Sequence, residues 1–163
     1  NQVLFKTESK QLVSRLVDGV FPEYRAIIPK EVKNEAVLSR AEFVNALKLV
    51  SSFSGKNNNV TITVGENGKY LELYSADSSV GENKYKIPIK LKGDPFTVVF
   101  NWRYLLDGIK IYNSEEITLG VNLPDRPAVI KNSGESRLVY VVMPKFSKLV
   151  KRFRTPHPAP IFK

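Results

Sequence analysis

Hydrophobic and polar positions alternate along most of this chain, and twice the alternation gives way to a helical period. Residues 2–7 and 11–17 alternate around Glu8-Ser9-Lys10 and predict a hairpin that Asp18-Gly19 ends. Phe21-Pro22-Glu23-Tyr24 predicts a turn or short helical piece, and Ala26-Ile27-Ile28-Pro29 runs extended into a charged linker over residues 30–34. A short strand at 36–38 comes next. Ser39 and Glu42 then form a capping box, in which hydroxyl and carboxylate satisfy the free N–H groups of a helix start. That helix is expected to reach residue 53, with Phe43, Ala46, Leu47 and Val50 on its apolar face. Strands are expected at 59–64, 69–76 and 84–91, the first two joined through Gly65-Glu66-Asn67-Gly68.

The order then recurs. Residues 96–100 read as a strand, and Asn101 is a good N-cap for a helix over 102–112. Strands follow at 117–122, 128–131 and 137–143, separated by Leu123-Pro124-Asp125-Arg126-Pro127 and Ser133-Gly134-Glu135-Ser136. Pro144 stops the last one, because proline has no N–H to give to a ladder. Residues 35–144 therefore read as βαβββ followed by βαβββ, a duplication of element order rather than of residue identity. Superposing Ser39 on Asn101 sets Phe43 on Leu105, Val44 on Leu106, Leu47 on Ile109 and Lys48 on Lys110. The economical architecture is α+β, an antiparallel sheet with two helices on one face. The strand end Val141, Val142, Met143 and Pro144 reaches the rim, either as the last core strand or as a docking edge.

A length of 163 residues suits one domain, or one domain and part of another. The chain begins with Asn1, and residues 1–30 are too few to close a core. The expected division is the end of a preceding domain at 1–30, a complete domain at 31–145 and a tail at 146–163. The absence of cysteine excludes disulfides and thiolate zinc sites and fits a reducing compartment, so a cytoplasmic location is expected. There is no signal peptide and no apolar run of bilayer length, and no membrane partner is expected. The net charge is +9 from 25 basic and 16 acidic residues. Six of the basic residues, Lys145, Lys148, Lys151, Arg152, Arg154 and Lys163, fall in the last nineteen positions, where there is no acid. Residues 1–144 keep 19 basic and 16 acidic residues, a net +3, so a nucleic-acid reading rests on where the charges lie.

On the second helix Arg103 and Lys110 are seven apart and share a face opposite Leu105, Leu106 and Ile109; Lys48 holds the matching place on the first, with Arg40 at its edge. This is either a solvated helix face, with Asp107 in its midst, or a shallow basic surface for phosphates that lacks the side chains for base readout. No catalytic constellation is present. His157 is the only histidine and sits among prolines, no metal-ligand spacing, glycine-rich phosphate loop or nucleophile elbow occurs, and Glu115 and Glu116 point to opposite faces of a strand. Neither an enzyme nor a cofactor is expected. Leu49 and Phe53 lie off the buried arc of the first helix, covered by a loop or by another subunit. In the tail, Phe146, Leu149, Val150 and Phe153 have helical spacing. The tail is open to disorder, packing on the body, contact with DNA or a membrane surface, or folding back as a mimic of a partner peptide.

Four segments, in order and spacing, resemble the bacterial DNA polymerase III β subunit, the sliding clamp: Ser14-Arg15-Leu16-Val17-Asp18-Gly19-Val20-Phe21-Pro22-Glu23-Tyr24, then Ile28-Pro29, then Phe100-Asn101-Trp102-Arg103-Tyr104-Leu105-Leu106-Asp107, then Tyr140-Val141-Val142-Met143-Pro144. The resemblance covers residues 3–145. It implies the DNA-clamp fold and a non-catalytic processivity factor, here its C-terminal portion, working as a head-to-tail homodimeric ring around double-stranded DNA. Arg40, Lys48, Arg103 and Lys110 would face the phosphates through weak, sequence-independent contacts. Leu49 and Val50 would meet the next subunit in a heterologous contact. A pocket for short apolar-aromatic peptides of the DNA polymerase III catalytic subunit, the clamp loader and repair polymerases would take Pro22 and Ile27 on one side. Asn101, Tyr104, Val141, Val142, Met143 and Pro144 would form the other. Ala26 departs from the arginine many family members carry, and the tail runs past the usual end. The rival reading is a free-standing basic module that holds nucleic acid through its tail, with salt-sensitive binding to linear DNA.

Overall fold

Each half of the duplication lends its first strand to the other half. The computed structural model describes residues 1–133 and 138–146. The first half contains β3 (Asn34–Ser39), α1 (Arg40–Ser51), β4 (Asn59–Val64), β5 (Tyr70–Asp77) and β6 (Gly81–Lys92). The second contains β7 (Phe96–Asn101), α2 (Trp102–Lys110), β8 (Glu116–Val121), β9 (Ala128–Asn132) and β10 (Val139–Val142). Ahead of them lie the hairpin β1 (Gln2–Lys6) and β2 (Gln11–Arg15) and a 3-10 turn at Tyr24–Ala26. Eight strands run in the order β10-β9-β8-β3-β6-β5-β4-β7, every neighbour antiparallel.

The exchange is symmetric to the residue. β3 pairs with β8 so that Ser39 faces Glu116, and β7 pairs with β4 so that Asn101 faces Asn59. The two N-cap residues thus occupy equivalent ladder positions. β6 joins the halves by changing partner along its length: residues 81–88 pair with β5 and residues 89–92 with β3. Over residues 81–87 its other edge carries no strand among the described residues. The counterpart at the end of the chain is Lys145, whose N–H donates to the Val99 carbonyl at 2.7 Å, laying the exit from β10 along β7.

The helices form where the apolar period says they should. Phe43, Ala46, Leu47 and Val50 of α1 and Leu105, Leu106 and Ile109 of α2 are buried, and the two helices touch side by side over the sheet. Against them pack the inward positions of the strands, including Leu38, Ile62, Leu73, Phe100, Ile117 and Leu119. Burial of each large side chain contributes roughly 1.5–3 kcal/mol, and a two-layer core of this kind needs both helices to close. The Ser39 hydroxyl accepts from Glu42 N–H at 3.4 Å and the Asn101 side chain accepts from Arg103 N–H at 3.0 Å. α1 ends at Ser51 and α2 at Lys110, each about two residues short of expectation, because the last turns tighten: Phe53 N–H bonds to Val50 O, and Tyr112 N–H to Ile109 O.

Tyr112 leaves α2 for the core. Its hydroxyl donates to the Ile130 carbonyl at 2.5 Å and accepts from Tyr140 N–H at 3.0 Å, so one phenol ties the end of α2 to β9 and β10. Tyr140 in turn lies on α2 at Gly108, where a Cβ would stand 2.4 Å from its ring. By contrast the β1–β2 hairpin is bare on both faces, with Leu4 opposite Val13 on one side and Phe5 opposite Leu12 on the other, all exposed. No helix among the described residues is long and apolar enough to cross a membrane.

Tyr112→Phe should lower stability by about 1–3 kcal/mol, because the Tyr140 N–H and the Ile130 carbonyl lose a partner inside the core. Burial also pushes the Tyr112 phenol above its ordinary value of 10.0. The folded chain therefore holds this proton more tightly than the unfolded one. The stability it contributes is complete below about pH 10 and is lost as pH rises through the folded value. Denaturant titrations between pH 8 and pH 11 should show a loss in the parent chain that is smaller in Tyr112→Phe.

Candidate functional site

The last strand reaches the surface where its inward period runs out. In β10 and just beyond, Tyr140 and Val142 face the core, while Val141 is half-buried and Met143, 52% exposed, points away from it. Ala128 faces Val142 across the β9–β10 ladder, which brings Pro127 opposite Met143. On the other side the segment leaving the 3-10 turn runs past this rim. Together they enclose a cleft of about 770 Å³ whose walls are Arg25–Glu31 on one side, and Asn122, Asp125, Arg126, Pro127 and Met143 on the other. That volume lies within the range of about 300–1,000 Å³ usual for ligand sites.

Of the eight residues expected to line a peptide pocket, the cleft joins Ile27 and Met143. Pro22 is exposed in the coil before the 3-10 turn, Val141 and Pro144 are half-buried beside Met143, and Tyr104 projects from α2, 57% exposed. Asn101 is partly buried and its side chain caps α2. Val142 corrects the expectation. At 5% exposure it belongs to the core, as strand alternation requires of a residue one step from Met143. Ala26 does line the cleft. In the sequence Asn122 and Asp125–Pro127 stand only as the end of a strand and a turn. Nothing in the residues marks them, since their place follows from the β9–β10 register.

The cations fall into two classes. The Arg40 Nε donates to the Ser114 carbonyl at 3.1 Å and strapping it there leaves it half-buried. The Arg103 Nε donates to Asn58 Oδ1 at 3.2 Å, with the guanidinium 5.1 Å from the centre of the Trp102 ring. Lys48 and Lys110 are exposed at matching positions of the two touching helices, and neither has an ion-pair partner among the described residues. On α1, Leu49 is 51% exposed, whereas Val50 is fully buried between α1 and the sheet, so Val50 has no surface to offer a second subunit. Phe53 is half-buried. Among the described residues no group of His, Cys, Asp and Glu could hold a metal ion. Most of the basic tail, residues 147–163, lies outside the described residues.

A twice-repeated βαβββ module, with paired helices on one face and a shallow cleft at the end of its last strand, is the DNA-clamp type of fold. The sequence profile of the DNA polymerase III beta subunit, C-terminal domain, matches residues 25–146, and the chain belongs to this family. It is 28% identical over 144 residues to the beta sliding clamp of Synechococcus elongatus, which takes in 88% of this chain and 38% of that protein. Against the beta sliding clamp of Bacillus subtilis the identity is 27% over 146 residues, again 88% of this chain and 38% of the other. The DNA polymerase III beta subunit of Thermotoga maritima superposes with a TM-score of 0.82 at 27% identity, over 90% of this chain and 40% of that one. The sliding clamp of Bartonella birtlesii bound to griselimycin gives 0.82 at 27% identity, over 90% and 39%. The chain thus spans about two-fifths of the length of the relatives it matches.

Asn101 caps α2, the helix that carries Tyr104. Asn101→Ala should cost about 0.5–2 kcal/mol of stability, and Asn101→Asp or Asn101→Ser should restore most of it, as read by urea unfolding.

Proposed function

We propose that this chain supplies the last domain of a cytoplasmic DNA sliding clamp: a non-catalytic processivity factor that tethers a replicative polymerase to duplex DNA. The observation that carries this reading is the cleft in which Ile27, from the segment before the linker, meets Met143, at the end of the last strand. A site built from two separated segments, in which Ile27, Ile28, Pro29, Pro127 and an adaptable Met143 give apolar surface between polar side chains, suits a short apolar-aromatic peptide. Peptides of this kind on the polymerase catalytic subunit, the clamp loader and repair polymerases are its partners. Lys48 and Lys110, with Arg103 and Arg40 held nearby by their own hydrogen bonds, present a shallow positive face to the phosphates. Few contacts to any one phosphate permit sliding, and retention comes from a closed ring.

The ring itself is a head-to-tail dimer of chains carrying the preceding domains. Leu49, with the edge of β6 that carries no strand over residues 81–87 among the described residues, is the surface this domain gives to the next subunit. A strand edge of this kind and an exposed leucine on a helix that packs against the same strand can supply ladder hydrogen bonds and apolar area to a heterologous partner.

Two measurements test the reading. Griselimycin, and a fluorescent peptide carrying a polymerase-type clamp-binding motif, should bind the chain. Met143→Ala and Tyr104→Ala should each weaken the peptide on the order of tenfold, a hot-spot loss. Unchanged affinity in both variants would sink the pocket assignment. In the protein with its preceding domains, Leu49→Glu should shift the sedimenting species from dimer to monomer; a dimer that survives the change places the subunit contact elsewhere.

A further inference from the structure

The wall of the cleft that carries Ile27 belongs to a segment preceding the β3–β10 body, so something must hold it against the body. Among the described residues, two hydrogen bonds join residues 1–33 to the rest of the chain, and one side chain makes both. Asn122 Nδ2 donates to the Glu31 carbonyl at 2.8 Å, and Asn122 Oδ1 accepts from Lys33 N–H at 2.8 Å. The amide bonds to the carbonyl before Val32 and to the N–H after it, the pattern with which a neighbouring peptide unit would hold a strand residue. Between the two bonds, Val32 rests on β8 at Gly120. A Cβ there would stand 2.6 Å from Val32 Cγ1, so this close seat exists only because position 120 has no side chain. Beyond the linker, Asn34 enters β3 with its Oδ1 accepting from Asp94 N–H at 2.9 Å, which fixes the far end.

We infer that Asn122 is a positioning residue of the partner cleft: a two-bond latch that holds the Arg25–Glu31 wall at its distance from Pro127 and Met143. The inference rests on the peptide-binding reading of that cleft. Asn122 sits at the junction of the linker and the β8–β9 loop, and it lines the cleft itself. With the latch closed, the wall is pre-organised and a ligand meets a formed site. With it open, the wall hangs from the chain and the Val32 contact, and a ligand binds only the fraction of molecules in which the wall is in place. Apparent affinity falls by that fraction. The glutamine and aspartate side chains are informative for opposite reasons. Aspartate keeps the acceptor for Lys33 N–H and loses the donor to Glu31 O; glutamine keeps both groups one methylene too far out.

The test uses the full chain and three readouts on Asn122→Ala and Asn122→Asp: binding of the fluorescent clamp-motif peptide, the thermal midpoint, and hydrogen exchange at the Lys33 amide. Asn122→Ala should weaken the peptide on the order of tenfold, the equivalent of losing two ordinary hydrogen bonds from the bound-competent state. The Lys33 amide should exchange faster, while the thermal midpoint of the body stays within a few degrees of the parent. Asn122→Asp should keep part of the Lys33 protection and fall between parent and alanine in affinity. Equal peptide affinity in Asn122→Ala and parent overturns the inference, and so does a loss of affinity with Lys33 exchange unchanged, which would make Asn122 a direct peptide contact. A parent chain that binds no peptide, with Lys33 protected by Asn122 as described, overturns the reading of the cleft and leaves the latch in place without that role.

Discussion

The exchange of first strands between the two halves is the constraint from which the rest of this fold follows. β3 finds its full six-residue ladder on β8, and β7 finds its own on β4. Neither βαβββ unit therefore closes its sheet alone: β7 pairs with a strand of the other unit, and β3 stands between β6 of its own unit and β8 of the other. A duplication built from hairpins in series would give two separable sheets. Here the launching strands interlock, α1 and α2 are brought into contact, and one core forms under both. Cooperative unfolding of the whole β3–β10 unit is the thermodynamic consequence, since no half exists to unfold by itself.

The same interlock places the exposed lysines of the two helices. Because Ser39 and Asn101 are equivalent ladder positions, α1 and α2 start at equivalent points and expose equivalent residues, and Lys48 and Lys110 match for that reason. The two arginines break the symmetry. Arg40 is spent on the Ser114 carbonyl at the entrance to β8, and Arg103 on Asn58 and the Trp102 ring. Each ties a helix start to a neighbouring loop, whereas Lys48 and Lys110 have no ion-pair partner among the described residues. The lysines are the more adaptable, since a lysine carries its charge on a flexible stem.

Much of this was legible in the residues. The alternation in β4, the capping residues Ser39 and Asn101, and the turn residues around Gly65–Gly68 each have a local cause, and with them the element order follows, its bounds to within about three residues. The resemblance of four ordered segments then led to the family. What could not be read is what depends on pairing across the chain. The β9–β10 register decides that Pro127 lies opposite Met143, and no local signal in Leu123-Pro124-Asp125-Arg126-Pro127 reports it. Val50 and Val142 went astray for a related reason. Each adjoins an exposed residue, Leu49 or Met143, and a step of one position turns a side chain by about 100° on a helix and to the opposite face of a strand, as their periods dictate. Proximity in sequence to a surface residue is no guide to being on that surface.

The edge of β6 that carries no strand among the described residues has a consequence for self-association. Lys84 and Lys86 project from this segment on one face, with Tyr85 between them. If two molecules paired these edges antiparallel about Tyr85, Lys84 of each would sit across from Lys86 of the other, an arrangement in which like charges repel. An identical edge is thus the poorer mate by this repulsion, which the Lys86–Glu72 ion pair and the seat of Lys84 over the Tyr74 ring reduce in part; charge on an edge is one of the ways proteins discourage runaway strand addition. A mate bringing carboxylates in place of ammonium groups would meet no such barrier.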